Sequence, residues 1–203
     1  MAWVLTDARI RRVGGTLMAV TGVVYGATEV VVDLTVEQEP LSRMFASPVN
    51  QVGELVQMFA LMGLLAALVG RYVGVGGRDL ARTMAFGTAF VGTALIIGAL
   101  WSSPFVLAGV AQTSPDVVDR FRTDPSVWST VGVLGSNAVF ALGWIAVAAV
   151  EWRRRAGSRL GWAAVAVGLL VAPAVPAVGG GLLAVGLLLV GVTTARSARS
   201  DTR

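Results

Sequence analysis

The 203-residue chain contains no cysteine and no histidine, and lysine stands at no position. Without Cys there is no disulfide, thiol redox motif or thiolate metal site. The absence of His removes His-ligated haem, the usual zinc hydrolases and the Ser-His-Asp triad. Without Lys there is no retinal or pyridoxal Schiff base and no phosphate-loop lysine. Arginine is left as the only basic side chain. Any chemistry must rest on carboxylates, hydroxyls, amides, Tyr, Trp and Arg, and neither a cofactor nor a metal is expected.

Charge is scarce as well. Only 14% of residues are charged against 55% hydrophobic, and mean hydropathy is +0.74, too apolar for an ordinary soluble domain. A polytopic membrane protein fits these values. The net charge of +4 and the pI near 10.9 resemble a nucleic-acid signal. The arginines, however, cluster beside the apolar segments, and no long basic stripe interleaved with aromatics is present. Nucleic acid is therefore not an expected partner; the lipid bilayer is.

Six apolar segments predict a single-domain bundle of six transmembrane helices, over about 13–33, 48–73, 80–102, 125–150, 160–173 and 176–195. The first follows a basic leader, MAWVLTDARIRR, but is long enough to span and is read as uncleaved. Residues 34–47 form a polar, mostly acidic loop. Ser47-Pro48 and Asp124-Pro125 are cap-then-proline helix starts. Ser103-Pro104 is expected to end the third span. Of the connection that follows, PFVLAGVAQ is too short to cross and should lie at the interface. Ser114-Pro115 then opens a short helix with Val117, Val118 and Phe121 on one side. Pro173, Pro176 and the Gly179–Gly181 run divide the last apolar block into a tight hairpin. The tail from Ala195 is expected to be disordered. The helices read as three hairpins, each returning helix opening near a proline: Pro48, Pro125, Pro176.

Six spans place every arginine except Arg43, Arg120 and Arg122 on one side. By the positive-inside rule both termini are then cytoplasmic, in a cell membrane, with anionic lipids expected at the arginine clusters. Arg71 is expected to snorkel to the inner surface, and Glu151 to share lipid contacts with Arg153, Arg154 and Arg155. Ala94, Gly98 and Ser102 form a small-residue stripe of the kind that lets helices approach closely.

The polar residues within the spans are gathered toward one end. Thr21, Tyr25, Glu29 and Asp33 are each four residues from the last, one stripe on the first helix. Asn50, Glu54 and Gln57 share a face at the start of the second. Trp101, Ser102 and Ser103 end the third span; Trp128, Ser129 and Thr130 begin the fourth, with Asn137 deeper in it. An outward-facing pocket between the first, second and fourth spans follows, roofed by the 103–124 connection. Its expected ligand-binding residues are Tyr25, Glu29, Asp33, Glu54, Gln57 and Asn137. If Glu29 and Glu54 face each other, both cannot stay ionised cheaply, and the pair titrates as a unit. Taken singly, each residue also fits a boundary position, where water and headgroups bring the cost of a charge below the roughly 2.5–3.5 kcal/mol of the membrane centre.

Three functions are compatible with this pattern. One is binding or transport of a small molecule or cation through the polar pocket. Another is a carboxylate-dependent membrane enzyme acting on a lipid or isoprenoid-like substrate. A third is a non-catalytic assembly or regulatory subunit. A shielded Glu29–Glu54 cluster favours the first two; acids splayed to water favour the third.

Overall fold

A computed structural model describes residues 7–74 and 79–200. The leader over 1–6, the Gly-rich turn over 75–78 with Arg78, and the last residues, 201–203, lie outside the described residues. So do the side chains of Asp7, Arg122, Trp128, Ser129, Arg199 and Ser200.

Among the described residues all regular structure is helical: α1 (Asp7–Thr35), α2 (Leu41–Ala46), α3 (Pro48–Gly74), α4 (Leu80–Ser102), a π-turn (Ser103–Leu107), α5 (Ala108–Thr113), α6 (Pro115–Thr123), α7 (Val127–Arg153), α8 (Arg159–Val171) and α9 (Pro176–Ser200). Five stretches are long and apolar enough to cross a membrane: Ala8–Thr35, Pro48–Gly74, Leu80–Thr113, Thr130–Arg153 and Pro176–Ala198. Each expected span is helical, but α8 has only 13 residues. At about 1.5 Å per residue it reaches roughly 20 Å, short of a hydrocarbon core of about 30 Å. The outward faces are apolar: Val52, Phe59, Met84, Leu142, Leu160 and Leu170 are each at least 60% exposed.

Contacts between the long helices run round a ring: α1 to α3, α3 to α4, α4 to α7, α7 to α8, α8 to α9, and α9 back to α1. The α1–α9 contact is the most extensive and joins the two ends of the chain. It is close because Gly15, Gly22 and Gly26 on α1 meet Gly191, Leu187 and Gly180 on α9. A Cβ on Gly15 would come within 2.7 Å of the Gly191 carbonyl oxygen. Gly92 against Phe140 and Gly143 against Ala89 close the α4–α7 seam in the same way. Packing of small residues is the expected cohesive force where the surround is as apolar as the helices. The Ala94–Gly98 stripe plays no such part within the chain: it faces outward, and Gly98 has open space beside it.

The two ends of the ring differ. At the end carrying α9's C-terminus and the 154–158 turn, here the basic end, the centre is packed solid by Met18, Leu61, Leu64, Trp144, Trp162 and Leu187. Trp144 Nε1 donates to Thr93 Oγ1 at 3.0 Å, and Thr93 Oγ1 to the Ala89 carbonyl at 2.7 Å, so the polar tip of this buried ring is satisfied. At the far end the ring holds cavities.

Two expectations are corrected, at Pro104 and at the tail. Pro104 does not stop α4: the π-turn absorbs the missing N–H and carries the helix on into α5. In α6 only Val118 is buried, while Val117 and Phe121 are about half exposed, at 48% and 45%. The tail is helical through Ser200, with Ala198 buried.

Candidate functional site

The far-end cavity, about 430 Å³, is built by four long helices and the segments that cap them. α1 supplies Tyr25, Glu29 and Asp33, whose four-residue spacing keeps them on one side of the helix. α3 supplies Asn50, Glu54 and Gln57. Ser102, Ser103 and Leu107 come from the end of α4 and the π-turn, and Asn137 from α7. Met44 and Phe45 of α2 share in closing it. All six residues expected to bind a ligand thus line one cavity. The expected walls were α1, α3 and α7; α4, α2 and the α9 residue Pro176 also contribute.

The contacts within the cavity are uneven. Gln57, only 5% exposed, donates from Nε2 to Glu29 Oε2 and ties α3 to α1. Asp33 Oδ2 accepts from the backbone N–H of Ala177 at 3.2 Å. Asp33 thereby caps the start of α9, where a carboxylate suits the positive end of the helix dipole. Asn137 Nδ2 donates to its own helix, at Val133 O, 2.9 Å away. Thr21 turns inward to bond the Leu17 carbonyl at 2.7 Å and is not part of the cavity wall.

Glu54 is treated differently. Asn50 and Ser103 are its side-chain hydrogen-bonding neighbours, but their contacts with it fall short of full hydrogen-bond geometry. Glu54 Oε2, Asn50 Nδ2 and Ser103 Oγ are all buried without a fully formed hydrogen bond. Asn50 and Ser103 are 3% and 5% exposed. Buried polar atoms are nearly always partnered in folded proteins, so three such atoms together call for an explanation.

The chain matches no family model, no curated protein and no solved structure. The site is therefore read from its own geometry.

A second polar cluster, at the basic end, was not anticipated. Arg71, Arg82 and Glu151 are 3%, 0% and 0% exposed. Arg71 donates from Nη2 and Nε to Glu151 Oε2 at 2.6 and 3.1 Å, and Arg82 Nε donates to Oε1 at 3.2 Å. Arg71 also donates to Thr194 Oγ1 at 2.6 Å and to the Ala156 carbonyl at 2.8 Å. Trp162 lies beside the Arg71 guanidinium, and Tyr72 and Phe86 beside that of Arg82. Arg71 therefore does not snorkel, and Glu151 does not face lipid headgroups. Both knot α3, α4, α7, α9 and the α7–α8 turn together. The turn fits round Arg71 because Gly157 adopts φ +89°, a conformation that costs glycine nothing. The available signal was Glu151 itself, a carboxylate at the end of an apolar run and next to three arginines.

Among the described residues no group of three His, Cys, Asp or Glu side chains is placed to hold a metal ion. The far-end cavity is lined by three carboxylates, amides, hydroxyls and apolar groups, with no arginine. Its chemistry suits a positively charged organic group better than an anion.

Proposed function

We propose that this protein is a multi-pass membrane protein of the cell membrane, a single transmembrane domain of six helices in three hairpins. Its basic end is cytoplasmic, with anionic lipids at the arginine clusters, and its far-end cavity binds a small organic cation from the outer side. The arginine bias between the two ends supports the orientation. α8 reaches part-way and is completed by the 172–175 connection.

The observation that carries the binding reading is the convergence on one cavity of Glu29 with Glu54, Asn50 and Ser103, the last three each with a buried polar atom lacking a fully formed hydrogen bond. Carboxylates directed into a shared cavity support binding, or acid–base work on a bound molecule, over a purely structural subunit. Gln57 positions Glu29, which leaves Glu54 as the group for the guest.

The test is calorimetric titration of the detergent-solubilised protein with propylammonium, with propanol and acetate as neutral and anionic controls. Propylammonium should bind and the controls should not. Glu54→Gln should weaken binding about tenfold or more, the worth of one hydrogen bond to a charged group. Equal binding of all three probes, or of propylammonium by wild type and Glu54→Gln, overturns the proposal.

A further inference from the structure

The polar cavity adjoins a second one. This neighbour, about 510 Å³, shares Tyr25, Glu29, Ile96, Asn137 and Pro176 with the first. Its other walls are apolar: Leu134, Ala138 and Phe140 of α7, Leu169 of α8 and Leu183 of α9 among them. Each volume alone falls within the range of about 300–1,000 Å³ typical of small-molecule sites. The two lie side by side, with acids lining the first and mostly hydrocarbon lining the second.

The second cavity is also poorly closed at its side. The far half of α7 stands off the bundle: Val131, Val133 and Leu134 are 57%, 57% and 64% exposed. Yet Val133 and Leu134 line the two cavities. α8 stops at Val171, and the extensive contacts of α7 are with α4 and α8, not with α9. The gap between α7 and the α8–α9 hairpin therefore opens toward the apolar surround.

From this we infer that the ligand is a single-chain amphiphile with a primary ammonium head, taken up sideways from the bilayer. The ammonium sits among Glu54, Ser103 and Glu29, and the chain lies against Leu134, Leu169 and Leu183. The inference rests on the cation-pocket reading above and names its substrate class. Charge complementarity selects the head, since neither cavity wall carries an arginine. Glu54 Oε2 and Ser103 Oγ, buried without a fully formed hydrogen bond, can accept from an N⁺–H group, which a quaternary ammonium cannot supply. Asn50 Nδ2 is a donor, so a hydroxyl next to the ammonium would complete the set.

The experiment uses the full chain in phosphatidylcholine nanodiscs with dodecylamine bearing a diazirine near the end of its chain. Labelled peptides are mapped by mass spectrometry, alongside propylammonium titration. Label should concentrate on the stretches holding Leu134, Leu169 and Leu183. Excess dodecylamine should suppress it and dodecyl sulfate should not. Glu54→Gln should reduce it about tenfold. Leu134→Trp should reduce labelling several-fold more than it weakens propylammonium binding, and the competition by dodecylamine against dodecyl sulfate in the wild-type protein does not depend on any variant folding. If propylammonium binds through Glu54 but label spreads over outward residues such as Phe59 and Leu142, the amphiphile inference falls and the cation pocket stands. If neither probe binds, both fall.

Discussion

Arg71, Arg82 and Glu151 at one end of the helical ring, and Glu29, Glu54, Asn50 and Ser103 at the other, are both sets of polar side chains inside an apolar protein. At the basic end each carboxylate oxygen of Glu151 has its arginine, and the remaining Arg71 donors reach Thr194 and Ala156. Aromatic rings and a solid apolar core enclose the cluster. At the far end Glu29 is held by Gln57, while Glu54, Asn50 and Ser103 keep buried atoms without fully formed hydrogen bonds in residues that line open volume. Closure is what a structural knot requires; incompleteness next to a cavity is what a binding site requires. Burial alone does not tell the two apart; the proposal that the far end binds a ligand rests on the hydrogen-bond inventory.

The sharpest way to break this comparison is to remove the carboxylate that the basic end cannot spare. Glu151→Leu leaves Arg71 and Arg82 buried without their anion. Breaking such a cluster costs about 3–5 kcal/mol. Thermal unfolding in a mild detergent should show a large loss, or the variant should not accumulate. Replacing all three by apolar residues of similar size should recover most of it, because no buried charge is then left uncompensated. If Glu151→Leu unfolds as wild type does, the cluster does not hold the basic end together.

The same change at the far end should act in the opposite sense. Glu54→Gln removes a charge that has no salt-bridge partner among the described residues, and keeps its shape. Stability should stay within about 1 kcal/mol of wild type or rise, as surrendering a functional group often allows. Ligand binding should fall in the same variant. A destabilisation as large as that of Glu151→Leu would make Glu54 structural and erase the distinction between the two ends.

How much of this could be read from the chain follows from periodicity. The long apolar runs gave the helices, and Pro48 and Pro176 stand at the starts of α3 and α9. Four-residue spacing on α1 and the Asn50–Glu54–Gln57 face on α3 placed those side chains in one cavity, because both faces turn into the ring. What escaped depends on partners distant in sequence. Glu151 lies 80 residues from Arg71 and 69 from Arg82, and no local pattern separates a pairing arginine from a snorkelling one. α2 has six residues, too few for a helical period to show inside a polar loop. Pro104 reads as a stop because sequence alone does not show that a π-turn can absorb it.

The smallest effect calibrates both ends. Asp79 is exposed at the basic end, where its side chain accepts from the Arg82 backbone N–H at 2.8 Å and pairs with Arg154 at 2.8 Å. The Arg82 amide, and then the Arg154 charge, hold its carboxyl below the usual aspartate range. A group depressed in the folded state stabilises above its unfolded value, near 3.9, and loses that contribution as pH falls through its folded value. Asp79→Asn keeps an N-cap side chain and discards the charge. Its melting temperature should lie slightly below wild type at pH 6, and the two should converge toward pH 3. A gap that persists or widens at pH 3 would show that Asp79 acts through shape and not through charge. Comparable in size to the Glu151→Leu loss, it would mean that burial adds nothing to a carboxylate at this end, and the contrast with the far-end cavity would have to rest on geometry alone.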